Sequence, residues 1–133
     1  MEGTFFPALR TTSLGRVVMY SHVTPSTQVV LNSQFKGVEN LLFVADTQSA
    51  GKGRGGNSWT SPMGCLMFSF KSQFSNGHDL PFVQYLVSLA LVRAVKDAAQ
   101  CDAIEVAIKW PNDIYVSCQL ICLIHSPASG IGR

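Results

Sequence analysis

At 133 residues, 47% hydrophobic and 14% charged, the chain has the composition of one packed globular domain and not of a disordered segment. A net charge of +2 without any run of Lys or Arg gives no support to nucleic-acid binding. The apolar stretches around residues 80–92 and 114–124 contain polar breaks and are too short to span a bilayer, so no membrane partner is expected. Cys65, Cys101, Cys118 and Cys122 stand in no framework spacing, and residues 1–3 begin no basic-then-apolar leader. A reducing compartment follows, the cytoplasm first. Arg10, Arg16 and several Ser and Thr residues in the first sixteen positions, offset by Glu2, are also compatible with a mitochondrial presequence.

In chain order, residues 16–20 form a short β-rich run. Residues 26–35 read as a weak helix that Thr24 or Ser26 could cap. The near-continuous apolar run 41–45 fits a strand buried on both faces. Residues 65–73 alternate, with Leu66, Phe68 and Phe70 on one side and Cys65, Met67 and Ser69 on the other, which predicts a strand. Pro81 opens a predicted helix over 82–99, with one polar stripe of Gln84, Ser88, Lys96 and Gln100 on a cylinder otherwise covered by a sheet. Residues 104–108 are the next predicted strand. There is no internal repeat and no linker.

Two constellations carry chemistry. Residues 48–59 hold Gly51, Gly53, Gly55 and Gly56 with Lys52, Arg54 and Trp59, a window too rich in glycine for helix or strand interior. Glycines there can take positive φ and bring backbone N–H groups close to an anion, while Arg54 offers a planar fork, Lys52 a point charge and Trp59 a flat face for a base. The order is not that of a P-loop. A G-x-G-x-x-G count does start at Gly51, but residues 57–62 are no helix start, so a dinucleotide fingerprint lacks its context. A nucleotide-phosphate loop and a flexible glycine loop with solvated cations both remain open at this point. The second constellation is Lys109-Trp110-Pro111-Asn112-Asp113. Turn chemistry alone explains Pro, Asn and Asp there; it does not ask for the lysine and tryptophan before them.

Together these motifs closely resemble the catalytic domain of biotin–protein ligases, and the Lys52 form of the loop is similar to the holocarboxylase synthetase branch. The resemblance covers about residues 16–116: Ser26-Thr27-Gln28 at a helix start, Gln48, the run from Gly51 to Trp59, Ser61-Pro62-x-Gly64-Cys65, and Lys109 to Asp113. It implies an α/β (α+β) fold with a mixed central sheet packed by helices, like class II aminoacyl-tRNA synthetases and biotin ligases, here incomplete. It also implies a division into an N-terminal extension (1–15), the N-terminal part of a biotin/lipoate ligase catalytic domain (16–116) and an atypical tail (117–133). The implied activity joins biotin and MgATP into biotinyl-5′-AMP and passes biotin to a lysine of a carboxylase acceptor domain. A homodimer is compatible with it. By the same resemblance, Ser26, Thr27, Gln28 and Gln48 would meet biotin's ureido ring. Lys52, Arg54 and Lys109 would be catalytic cations, with Gly51, Gly53 and Gly55 in the loop. Trp59 and Asn112 would lie on the adenylate side, and Asp113 would help hold metal or triphosphate.

The sequence departs from that pattern after Asp113. Family members carry another lysine seven or eight residues beyond the Asn-Asp pair; Leu120 and Ile121 stand there in this chain. Impaired activity from truncation is the expectation. The alternatives are an inactive fragment that at most binds biotin or ATP, and a lipoate-type ligase, whose glycine signature lacks the Asn57-x-Trp59 end. Cys118, Cys122 and His125 have a metal-like spacing but supply only three ligands on an apolar segment, so no metal centre of the protein's own is expected. His22 and His78 are assigned no role.

Overall fold

The computed structural model describes residues 6–53, 56–73, 77–100, 104–110, 113–117 and 119–123. Contacts divide the chain into two units, Met1–Gln73 and Phe74–Arg133. In the first, a β-α-β start places strand β1 (Val17–Thr24) parallel to β2 (Leu41–Lys52), with helix α1 (Thr27–Gln34) between them in sequence. Strand β3 (Ser58–Ser61) and strand β4 (Met67–Phe70) both run antiparallel to β2, β4 against its first half and β3 against its second. The sheet is therefore mixed, as expected.

The core lies where α1 covers the start of β2. Leu31 packs on Leu41 and Phe43, flanked by Val30 and Phe35. Each such side chain contributes about 1.5–3 kcal/mol of hydrophobic stabilisation when fully buried. The run 41–45 is buried or half-buried throughout, which matches its unbroken apolar sequence. Beyond β4, Lys71 donates its Nζ to Phe35 O at 3.3 Å and its backbone N–H to Leu41 O at 3.1 Å. It thereby ties the end of α1 to the sheet, a cation at a helix C-terminus where the dipole favours it.

The second unit holds helix α2 (Leu80–Ala99), entered through a 3₁₀ turn (Gly77–Asp79), and an antiparallel sheet β5-β6-β7. Strand β5 spans Val106–Lys109, β6 Asp113–Val116 and β7 Gln119–Leu123. Helix α2 has proline in its first turn, ends on Gln100 in the left-handed region (φ 49°), and packs against β5. The expected polar stripe is corrected. Ser88 is 0% exposed, and its hydroxyl donates to Gln84 O at 2.8 Å, which satisfies it without water. Phe82 and Leu86, each 65% exposed, face outward, so the helix is less covered than its composition suggested. No helix among the described residues is long and apolar enough to cross a membrane.

Candidate active site

The glycine window is a β-hairpin, which corrects the expectation that residues 48–59 stay out of strand. β2 continues through Lys52 and β3 begins at Ser58, with Gly51 opposite Trp59, Lys52 opposite Ser58, and an irregularity between Gln48 and Gly51. Glycine's weak strand propensity is outweighed here by the closeness of packing it permits. A Cβ on Gly51 would stand 2.9 Å from Trp59 O and 3.2 Å from Ser61 Oγ; one on Gly53 would stand 2.5 Å from Trp59 Nε1. The indole thus lies against the Gly53 backbone, 42% exposed and open to stacking. Among the described glycines of the loop only Gly56 has positive φ (83°), so Gly51 and Gly53 serve close approach and not a left-handed turn. Gly53 N–H donates to Asn57 O at 2.7 Å, closing the loop's neck. Lys52 is exposed. Arg54 and Gly55 lie outside the described residues.

At the base of this hairpin a neutral polar cluster is assembled. Ser26 occupies the N-cap position of α1 in extended conformation and is buried, but its hydroxyl makes no capping bond. The end of the helix is instead satisfied from the sheet: Gln48 Oε1 accepts from Thr27 N–H at 2.8 Å and from Thr27 Oγ1 at 3.0 Å. Gln48 Nε2 lies 3.3 Å from Ser61 Oγ, and Thr27 Oγ1 lies 2.8 Å from Ser69 Oγ. Ala50 N–H reaches back to Pro25 O at 2.8 Å, locking the strand to the helix entry. Gln28 is half-buried on α1 and takes no part in this network. Sequence reasoning assigned no role to Ser61 or Ser69. The signal was there: Ser69 is the polar residue inside an otherwise apolar strand.

In the second unit, β5 and β6 pair antiparallel, and Pro111 and Asn112 of the expected turn lie outside the described residues. Lys109 and Asp113 stand opposite each other in the ladder. Lys109 Nζ lies 5.9 Å from the centre of the Tyr115 ring, within cation–π range. Beside them is a cavity of about 380 Å³ lined by Glu105, Ala107, Ile108, Lys109, Tyr115 and Ser117. Asp113 Oδ1 is buried and has no hydrogen-bond partner, an acceptor left over for a donor or a cation. Asn112 lies outside the described residues, as do Cys118 and His125. Among the described residues no group of three His, Cys, Asp or Glu side chains could hold a metal ion.

A further side-chain cluster joins β1 to β2 at Tyr20, His22 and Asp46. Tyr20 OH donates to Asp46 Oδ2, and His22 Nδ1 lies 3.0 Å from the same oxygen and 2.9 Å from Tyr20 OH. The bond to Asp46 pushes the Tyr20 hydroxyl above its ordinary range. Bonds from Tyr20, then His22, hold the Asp46 carboxyl below its own.

Comparison with known proteins matches residues 20–133 to the Biotin/lipoate A/B protein ligase family. The chain belongs to that family. Among biotin–protein ligases, it is 41% identical over 116 residues to the human protein, covering 82% of this chain and 16% of that one. To biotin–protein ligase 1, chloroplastic, of Arabidopsis thaliana it is 41% identical over 119 residues, covering 85% and 32%. Two solved ligases share the fold. That of Leishmania major in complex with biotinyl-5-AMP superposes with TM-score 0.66 at 28% identity, over 79% of this chain and 49% of that one. That of Aquifex aeolicus in complex with biotin and ATP gives 0.62 at 32% identity, over 75% and 41%. The chain thus spans less than half the length of these ligases.

Proposed function

We propose that the chain carries the biotin-recognition and phosphate-binding part of an ATP-dependent biotin–protein ligase. The observation that carries this reading is the Thr27–Gln48 pair, a neutral, mostly buried hydrogen-bonding edge at the base of a hairpin whose first strand ends at Lys52, with Arg54 two residues on in the sequence. A neutral edge suits the uncharged ureido ring of biotin, and the cations suit a nucleotide's phosphates. The solved ligases with biotin, ATP and biotinyl-5-AMP bound support the same pairing of ligands.

In the first step a biotin carboxylate oxygen bonds to the α-phosphorus of ATP while the bond to the bridging oxygen breaks. Pyrophosphate leaves with that electron pair. Two anions must meet, so Lys52, Arg54 and the N–H groups of the loop offset their repulsion and the negative charge on the oxygens of the transferring phosphoryl group. Trp59, with the Nε1–Cδ1 edge of its indole against Gly53, is assigned to the adenine side, as is Asn112 on the resemblance of its motif. Lys109 adds positive potential toward phosphate. Asp113, with its unpaired Oδ1, fits a magnesium ion carried with the nucleotide, which would neutralise phosphate charge. In the second step the neutral ε-amine of an acceptor lysine attacks the acyl carbon, AMP departs, and the amine's proton passes to solvent. Ser26 and Gln28 are assigned to biotin beside Thr27 and Gln48. Carboxylase acceptor domains are the proposed partners, and the cytoplasm the proposed compartment.

Calorimetric titration of the chain with biotin, then with MgATP, tests the reading. Saturable binding of biotin that Gln48→Ala weakens without changing ATP affinity is expected. No biotin binding, or tighter binding of lipoate than biotin, would refute it.

A further inference from the structure

We propose that Ser69 is a positioning residue: by donating to Thr27 Oγ1 it holds that side chain in the rotamer from which Thr27 and Gln48 present one acceptor and one donor, an edge complementary to the adjacent N–H and C=O of a ureido ring. The proposal rests on the biotin reading for its ligand and on hydrogen-bond logic for its geometry.

One donor of the cluster has a fixed identity. Thr27 backbone N–H can only donate, so the Gln48 atom 2.8 Å from it must be the oxygen, and Nε2 must point to the Ser61 side. Gln48 Oε1 then carries no hydrogen. Its 3.0 Å contact with Thr27 Oγ1 requires the threonine's single proton to point at it. Thr27 has nothing left to give Ser69, so across the 2.8 Å contact Ser69 donates and Thr27 accepts. The result is a directed chain from Ser69 to Thr27 to Gln48, continued through Nε2 to Ser61.

This direction decides what a ligand meets. Both acceptor sites of Gln48 Oε1 are occupied, so Gln48 has only N–H to offer. Thr27 Oγ1 has spent its proton and one lone pair, and offers the other lone pair. A carboxylate or ester would leave one of these two unmatched; a ureido edge satisfies both. Ser69 comes from β4 and Thr27 from the first turn of α1, so β4 sets the threonine's rotamer although it supplies nothing to the ligand directly. Thr27 is buried, so an incorrect hydroxyl orientation is not repaired by solvent.

The test uses the whole chain, isotopically labelled, with Ser69→Ala and Ser69→Thr variants. In the parent, the Gln48 side-chain amide protons should show nuclear Overhauser contacts to Ser61 β protons and not to the Thr27 amide, and Thr27 χ1 couplings should report one rotamer. Ser69→Ala should average those couplings and weaken biotin binding by about five- to tenfold, the usual worth of one hydrogen bond. Ser69→Thr, which keeps the donor, should restore both. Amide contacts to Thr27 N–H, or a Thr27 rotamer that stays single in Ser69→Ala, would overturn the proposal. If Thr27 responds as expected while the parent binds no biotin, the positioning role stands and the biotin reading falls.

Discussion

Placing a methyl group on Gly51 and, separately, on Gly53 gives two perturbations that look alike in sequence and differ in the structure. Neither glycine has positive φ, so alanine meets no backbone strain at either site and the difference is steric alone. At Gly51 the new Cβ would lie 2.9 Å from a backbone carbonyl, Trp59 O, with Ser61 Oγ and Trp59 Cβ at 3.2 Å. A carbonyl in a strand ladder cannot swing aside, so β2 and β3 must separate where Gln48 meets Ser61. Overpacking of this sort costs about 1–3 kcal/mol. At Gly53 the 2.5 Å contact is with the Trp59 indole, a half-exposed side chain that can rotate away. Its cost should stay below about 1 kcal/mol, while the platform for a base is lost. With a urea slope of about 1–3 kcal/mol per molar, Gly51→Ala should lower the unfolding midpoint by roughly 1 M and Gly53→Ala by less than half of that. Urea unfolding followed by circular dichroism measures both. Hydrogen exchange at the Ala50 amide, which donates to Pro25 O, should accelerate in Gly51→Ala and not in Gly53→Ala. Equal midpoints for the two variants, or faster exchange in Gly53→Ala, would refute the steric argument.

Tyr20→Phe should raise the Asp46 pKa toward the ordinary carboxylate range, read from carboxyl carbon shifts through an acid titration, because the phenol's hydrogen bond is the largest cause of its depression. The sign for stability follows: with Asp46 lowered in the folded state, its contribution is present above the unfolded pKa near 4 and lost as pH falls through the folded value, so the parent's acid-side loss should shrink in the variant. Arg54→Ala should slow biotin-dependent pyrophosphate release more than it weakens biotin binding, since its fork is assigned to phosphate; equal losses would remove that assignment. With Leu120 and Ile121 where the resemblance expects a lysine, biotinyl-AMP formation should run about a hundred- to thousandfold below a ligase that has it, and turnover at parity would show that lysine to be dispensable.

Much of the fold was legible because local pattern and burial agreed. The unbroken apolar run 41–45 became the best-covered part of β2, and the weak helix signal after Ser26 became α1 over Thr27–Gln34. Strand ends were less legible: β1 runs on to Thr24 and β5 begins at Val106, since ladder partners and not propensity decide where pairing stops. The glycine window misled because composition cannot show an indole packed on Gly53. Ser88 misled for a related reason: a helix can absorb a serine hydroxyl on its own carbonyl, so a polar letter at helical spacing does not mark the wet face. For the site, the motif residues Thr27 and Gln48 were readable as a set, but Ser69 was not. It lies far along the chain from Thr27 and meets it only because β4 pairs with the front half of β2.

The arrangement of strands around β2 also bears on how the first unit forms. Every partner of β2 is near in sequence: its longest pairing, Leu42 with Phe70, is shorter than the roughly 30 residues of an ordinary βαβ unit. No pairing of β2 reaches beyond Gln73, so every loop that must close lies within the first unit, and closure entropy grows only slowly with loop length. β2 can collect β1, β3 and β4 while the chain beyond Gln73 is still being synthesised, so the Thr27–Gln48–Ser69 network can be in place before the second unit exists.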